Sequence, residues 1–136
     1  EKLHPVVGDL HEEMYVTAMA YVEFAETYPE HFRVMFRKDL IVYNPETPPK
    51  SVLEIFTELT NVILRQRGES EILLGSNLAD KSTNLIKDIL IGWSYIHGYA
   101  HLRLEGQLGM VSEDAHRTIM RENAERLSNL LQQRRD

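Results

Sequence analysis

The sequence predicts an all-α fold, a bundle of about five helices of which the last two are long. Apolar side chains recur at spacings of three and four residues along nearly the whole chain, as amphipathic helices require. No segment alternates apolar and polar residues with β-branched enrichment, so no sheet is expected. The 136 residues suit one domain, and no internal repeat or low-complexity segment divides them.

The first two helices are separated by a proline. One helix is predicted from about Asp9, its N-cap, to Tyr28. Pro29 then begins a short helix, because proline is tolerated in a first turn. The inward-facing residues of this short helix are expected to be Phe32, Met35 and Phe36. Residues 38–49 are predicted to form a loop, because three prolines in five residues cannot continue a helix.

Three further helices follow the loop. The third is expected from about Lys50 to Arg67, with Gly68 as its stop. The residues expected on its outward face are Glu54, Glu58, Asn61 and Arg65. The fourth runs from about Asp80 to Glu105, and the last begins after a cap at Ser112.

The fourth helix is apolar around most of its circumference when wound at about 100° per residue. A helix apolar nearly all round is buried nearly all round. One side can face the domain core, and we expect a second copy of the chain to cover the other, with two helices from each copy in a dimeric four-helix bundle. The predicted interface consists of Ile91, Tyr95, Tyr99, Leu102, Ile119, Asn123, Leu127 and Leu130. The alternative is a monomer whose other helices enclose the fourth.

The fourth helix also contains two glycines, Gly92 and Gly98, each of which weakens a helix by roughly 0.5–1 kcal/mol relative to alanine. We interpret them as places where neighbouring helices approach closely. Trp93 and His97 lie about 40° apart on the helix and are expected to face the interior.

The composition of the chain argues against several classes of function. The net charge of −6 argues against direct binding of nucleic acid. The absence of cysteine excludes disulfides and thiolate metal sites. No apolar run approaches the ~20 residues that cross a bilayer and no signal peptide is visible, so a cytoplasmic protein without membrane contact is expected. No phosphate loop, nucleophile elbow or recognisable triad appears, so we expect neither an enzyme nor a cofactor.

A metal site is the least favoured alternative. His97 and His101 are one helical turn apart, a spacing that two metal ligands can share. A third ligand would have to come from another helix, for example from His11, Glu12 or Glu13. Hydrogen-bonded or packed histidines are the simpler interpretation, so no metal is expected.

Two segments carry a resemblance to a known family. The segment YVEFAETYPEHFRVMF at 21–36 and the segment GWSYIHGYAHLRLEGQL at 92–108 resemble the C-terminal ligand-binding domain of TetR/AcrR-type transcriptional regulators. The second is similar to the subgroup named for a Trp…His-Gly motif, here Trp93, His97 and Gly98. The residues that match in the first segment are Tyr21, Phe24, Ala25, Pro29, Phe32, Arg33, Met35 and Phe36. The resemblance spans about residues 10–131.

The resemblance implies a homodimer that binds a small hydrophobic or amphipathic effector among its helices. Operator DNA would be contacted through an N-terminal helix-turn-helix domain, which is expected to lie outside this chain. Residues 1–136 would then be the effector-binding and dimerisation domain, repressors being the commoner type. The predicted pocket lining is Met14, Tyr21, Phe24, Phe36, Phe56, Thr60, Trp93 and His97. A dimerisation module with a filled core and no effector is the main alternative.

Overall fold

The structure is a computed structural model that describes residues 10–35, 50–74, 76, 78 and 81–133. Over these residues it contains five α-helices and no strand, which confirms the all-α class. The helices are α1 (Leu10–Thr27), α2 (Pro29–Met35), α3 (Lys50–Gln66), α4 (Thr83–Leu104) and α5 (Glu113–Gln133). The predicted cap at Asp9, the residue Phe36 and the predicted loop 38–49 lie outside the described residues.

Local signals account for most helix ends. Gly68 and Gly106 follow α3 and α4 with φ angles of 77° and 78°, a left-handed backbone that favours glycine. The α4 helix begins three residues later than predicted, because the Ser82 hydroxyl accepts a hydrogen bond from the Leu85 N–H at 3.1 Å and caps the helix. Ser112 caps α5 in the same way, through the N–H of Ala115 at 3.1 Å.

The α1 helix lies at the centre of the bundle and packs against α4 and α5, while α3 packs against α4. The buried apolar side chains form two clusters. One cluster joins α1, α3, α4 and α5 and contains Met14, Val62, Ile63, Leu64, Leu85, Ile89, Ala124 and Leu131. The other joins α1, α2, α4 and α5 and contains Ala18, Tyr21, Val22, Ala25, Phe32, Ile96, Ala100 and Met120.

The two glycines of α4 have different surroundings. A Cβ added at Gly92 would lie 2.5 Å from Cδ1 of Ile63, so this glycine does permit the close approach of α3. A Cβ added at Gly98 would meet no heavy atom within 4 Å in the described part of the protomer. Within the described part of the protomer no helix approaches Gly98 closely, and approach by a helix of a second chain stays a prediction.

Two polar residues predicted on the outside of α3 are buried instead. The Asn61 side chain donates to the carbonyl of Ile72 at 3.1 Å and accepts from its N–H at 2.7 Å. The guanidinium of Arg65 forms ion pairs with the carboxylates of Glu13 and Glu71, each with a nitrogen–oxygen distance of 2.7 Å. Both side chains are buried because they bind the segment that follows α3, and Arg65 in addition binds α1. Their polarity indicated exposure, but their partners were set by tertiary contacts.

One face of α4 stays open in the protomer. Ile91 and Leu102, on the side that the wheel assigns to a second copy of the chain, are 44% and 39% exposed. Leu90, about 100° further round the helix, is 48% exposed as well. Ile119 and Leu130 of α5 are similarly exposed. No helix in the described part of the chain has both the length and the apolar character needed to cross a membrane.

Candidate functional site

A cluster of five rings joins four helices around His97. The Tyr21 hydroxyl and His97 Nδ1 are 2.7 Å apart, which ties α1 to α4. The Phe32 ring of α2 stacks on the imidazole with 5.2 Å between centroids. The ring centroids of Trp93 and His97 are 6.2 Å apart. Phe56 of α3 packs edge-on against the indole of Trp93, with 5.3 Å between centroids. We call Tyr21, Phe32, Phe56, Trp93 and His97 the aromatic cluster.

Burial keeps the polar pair of this cluster neutral. Desolvation lowers the pKa of His97, and the nearby His101 lowers it further. Desolvation also raises the pKa of the Tyr21 phenol well above its usual range. A neutral imidazole and a neutral phenol can share one hydrogen bond within an apolar environment at low cost. The pair therefore fixes the position of α1 on α4 without burying a charge.

An open groove of about 460 Å³ runs between α1 and α3, beside the aromatic cluster. Its α1 wall consists of Val16, Thr17, Ala20, Tyr21 and Phe24, and its α3 wall of Glu54, Ile55, Glu58 and Leu59. The volume lies within the range of roughly 300–1,000 Å³ that is typical of small-molecule sites. Tyr21 belongs to both the groove and the aromatic cluster, so a molecule in the groove would touch a residue bonded to α4.

A second cavity lies deeper, where α1, α3, α4 and α5 meet. It has a volume of about 20 Å³, and Met14, Gly92 and Leu127 are among the residues that line it. This is room for about one water molecule, and the lining is almost wholly apolar. The deeper cavity is therefore too small for an effector as it stands.

A second tyrosine–histidine pair ties α4 to α5. The Tyr99 hydroxyl and His116 Nδ1 are 2.6 Å apart, and their rings stack with an interplanar angle of 8°. Burial is the largest cause that lowers the pKa of His116, and the Arg103 guanidinium adds to it. Tyr95 makes a neighbouring link, in which its hydroxyl lies 3.7 Å from Sδ of Met120. Sequence reasoning placed Tyr95 and Tyr99 only at a subunit interface and missed these links.

The predicted pocket residues separate into five groups, of which the first two share Tyr21. Tyr21, Phe56, Trp93 and His97 belong to the aromatic cluster, and Tyr21 and Phe24 line the groove. Met14 lines only the deeper cavity, and Thr60 is buried within α3. Phe36 lies outside the described residues.

Sequence reasoning missed most of the groove. Val16 and Ala20 are exposed residues of α1, and their apolar character was the available signal in the sequence. On α3, Ile55 and Leu59 are apolar and lie between the residues predicted to face outward, yet nothing local shows that α1 leaves them partly open. The groove depends on the separation of two helices, which periodicity does not report.

The predicted interface residues fall into an exposed group and a partly buried group. Ile91, Leu102, Ile119 and Leu130 are exposed on neighbouring helices. The other four, Tyr95, Tyr99, Asn123 and Leu127, are partly buried within the protomer. We call the four exposed residues the outer face.

The histidines considered as metal ligands have other contacts. His97 is bonded to Tyr21, and His11 lies 2.7 Å from the amide oxygen of Asn129. Among the residues that the structure describes, no three histidine or carboxylate side chains come together as a metal site would need.

The five-helix bundle with an open groove beside its core defines the class of the chain as an all-α helical domain. Comparison with known families is more specific. The model of the family described as "Tetracyclin repressor-like, C-terminal domain" matches residues 15–126, and the chain belongs to this family. The match confirms the TetR-type resemblance, and the Trp…His-Gly subgroup stays a prediction. Comparisons with curated proteins and with solved structures found no significant match.

Proposed function

We propose that this chain is the effector-binding and dimerisation domain of a TetR-type transcriptional regulator of the Trp…His-Gly subgroup. In this proposal a small hydrophobic or amphipathic molecule binds in the groove between α1 and α3. The observation that carries the proposal is the position of Tyr21, which lines the groove and is hydrogen-bonded to His97 of α4.

Binding in the groove would be communicated through α4. A ligand that displaces the Tyr21 ring alters its hydrogen bond to His97, and the opposite side of α4 carries the outer face. Ion pairs also connect the first two helices to the end of α4, from Arg33 to Glu105 and from Arg103 to Glu26, both at 2.9 Å. An effector that prefers one arrangement of these helices shifts the population towards it.

The outer face supports a homodimer. Exposed apolar side chains on α4 and α5 form a surface that monomers rarely leave uncovered. The open space at Gly98 would allow a partner helix to approach α4 closely. Two helices from each protomer then form an isologous four-helix bundle.

The remaining parts of the proposal concern the whole regulator. Operator DNA is bound through a helix-turn-helix domain outside this chain. The separation of the two DNA-binding domains in the dimer depends on the dimer geometry. Effector binding changes that separation and hence the operator affinity. We propose a repressor of this kind, acting in the cytoplasm.

A thermal-shift screen with hydrophobic and amphipathic compounds tests the effector site. We expect at least one compound to raise the melting temperature of the wild type in a concentration-dependent way. The variant Ala20→Phe places a ring in the groove at an exposed position of α1 and should abolish the shift. The matched control Thr118→Phe, at an exposed position of α5, should retain it. The effector site would be overturned if no compound raised the melting temperature, or if Ala20→Phe left the shift in melting temperature intact.

Sedimentation at micromolar concentration tests the dimer. The chain has a mass of 15.8 kDa, so the expected species has twice that mass. A monomer alone would refute the four-helix bundle. A dimer that binds no compound in the groove would support the alternative, a dimerisation module without an effector.

A further inference from the structure

We infer that Leu59 of α3 limits how far the apolar end of a ligand in the groove extends into the bundle. This inference rests on the proposed function, because it names a specificity-determining residue of the same site. It is carried by the position of Leu59, whose side chain lines both the groove and the deeper cavity.

Thr17 and Leu59 form the partition between the two spaces. Among the described residues, these two line the groove as well as the deeper cavity. Thr17 belongs to α1 and Leu59 to α3, and both side chains are partly buried. A group that passes between them leaves the groove and reaches the surface of α4 at Gly92 and Ile96. The partition is therefore the point at which a ligand would enter the core.

The space beyond the partition suits the apolar end of a ligand. The deeper cavity measures about 20 Å³, and a water molecule there would need several polar partners. Thr17 and Tyr95 are the only described residues of its lining that carry a hydroxyl, and the Tyr95 hydroxyl lies 3.7 Å from Sδ of Met120. A methyl group gives up no hydrogen bond in such a place, whereas a polar group would lose its hydration.

Leu59 decides how much room lies beyond the groove. Its side chain is larger than that of Thr17, and threonine is held more rigidly at χ1 because it branches at Cβ. The opposite wall has little freedom, because a Cβ at Gly92 would lie 2.5 Å from Cδ1 of Ile63 and the two helices already touch there. The length of a ligand's apolar end that fits should therefore depend on the size of residue 59.

The test uses the homologous series of neutral 1-alkanols from 1-butanol to 1-decanol. The chain contains a single tryptophan, Trp93, which packs against Phe56 of α3, so its fluorescence reports binding beside this helix. Each methylene that becomes buried should lower the dissociation constant about fourfold, which corresponds to about 0.8 kcal/mol. We expect this gain to stop at a limiting chain length in the wild type, where the alkyl chain meets the partition and the deeper cavity is filled.

Variants of Leu59 should change the limiting length in a graded way. Leu59→Val should lengthen it by about one methylene and Leu59→Ala by about two or three, because each removes that much of the partition. Leu59→Val is the milder change and still gives a result if Leu59→Ala does not fold. Circular dichroism shows whether each variant keeps its helices.

The matched control is Ile55→Ala. Ile55 is a partly buried residue of α3 that lines the groove but not the deeper cavity. Its truncation should change the affinity of all the alkanols by a similar factor and leave the limiting length unchanged. Ala20→Phe, which places a ring in the groove, should abolish binding of the whole series.

The outcomes separate this inference from the proposed function. Affinity that rises through the whole series in the wild type, or a limiting length that both Leu59 variants leave unchanged, would overturn the role of Leu59. If such binding is sensitive to Ala20→Phe, the effector site stands. Absence of alkanol binding, or binding that Ala20→Phe does not affect, also overturns the inference. Failure of the effector site itself is recognised separately, when no compound in the broader screen binds in a manner sensitive to Ala20→Phe.

Discussion

The two faces of α4 are similar in sequence and opposite in environment. The inner face carries the buried apolar residues Leu85, Ile89 and Ile96, together with Asp88 and Gly92, and it packs against α1 and α3. The outer face presents Ile91 and Leu102 to the surface of the protomer. Both faces are rich in apolar residues, so hydrophobicity alone does not distinguish them. The inner face is buried by helices of the same chain, whereas in the proposed dimer a second chain would cover the outer face.

The glycines show the same difference at atomic scale. Gly92 is in contact with Ile63, so the missing side chain is part of the packing between α3 and α4. Gly98 has open space beside it in the part of the protomer that the structure describes. Substitutions on the inner face should therefore act on folding, and substitutions on the outer face should act on association.

The largest effect is expected at the buried ion pair of the inner face. Asp88 is fully buried, and its carboxylate lies 2.5 Å from the buried guanidinium of Arg67. Arg67 keeps its pair with the partly exposed Glu69 at 2.8 Å, but Asp88→Ala removes its buried partner and should lower the free energy of unfolding by roughly 3–5 kcal/mol in urea titrations. The control Asp114→Ala removes an exposed pair with Arg117 and should cost less than about 0.5 kcal/mol. Equal costs at the two sites would contradict the assignment of Asp88 to the packed face.

The glycine pair gives the next largest effect. Gly92→Ala forces its Cβ against Ile63, and we expect it to be less stable than Gly98→Ala by roughly 1–3 kcal/mol in the same titrations. At protein concentrations below the dimer dissociation constant, Gly98→Ala should itself gain up to about 1 kcal/mol from helix propensity, because no partner helix then meets the new side chain. Ile63→Val removes the contacting Cδ1, so its combination with Gly92→Ala should be less damaging than the sum of the single changes. Additive costs would show that the clash is not with Ile63.

A charge on the outer face should act on association. Leu102→Glu places a carboxylate on the outer face, and we expect the dimer dissociation constant to rise at least tenfold, or about 1.4 kcal/mol, by sedimentation. Helix content by circular dichroism should stay unchanged. The control Leu73→Glu alters a leucine that is 82% exposed and far from α5 in sequence, and should leave the dimer intact. A dimer that tolerates Leu102→Glu would move the interface elsewhere.

The smallest effect is expected from the two tyrosine–histidine pairs. The folded protein lowers the pKa of both His97 and His116, so the unfolded chain binds more protons as the pH falls. Stability should therefore be fully present above the unfolded histidine pKa of about 6.5 and decline as the pH falls below it. Unfolding titrations at pH 7.5 and 5.5 measure this decline.

Replacement of the two histidines shows whether they cause the decline. The double variant His97→Gln/His116→Gln should have a flatter dependence of stability on pH than the wild type. The control His31→Gln, at an exposed position of α2, should keep the wild-type slope. An unchanged slope in the double variant would assign the decline to other groups.

Local sequence signals predicted the helices well because their physical causes are local. Pro29, Gly68 and Ser112 mark helix ends through their own backbone preferences or hydrogen bonds, and each lies where an end was expected. The start of α4 was misplaced because Ser82, rather than a residue near Asp80, accepts the capping bond. The family was also recognisable from sequence, since its motif residues are read directly from the chain.

The aromatic cluster was partly predictable. Trp93 and His97 share one arc of α4, and an inward position for them follows from the wheel. The specific bond from His97 to Tyr21 joins residues 76 positions apart, and helical periodicity carries no information about such pairs. Asn61 and Arg65 show the converse error, because polar side chains were buried by partners that lie on other segments.

The sequence by itself determined the all-α class, the order of the five helices and the surplus of apolar surface on α4, because backbone propensity and helical spacing are properties of short segments. Only the tertiary structure decided which face of α4 is enclosed and where α1 and α3 leave a groove. It also decided that Gly92 meets Ile63 while Gly98 meets no atom of the described protomer. These features depend on the distances between helices, and those distances are set by the packing of side chains that are remote in the chain.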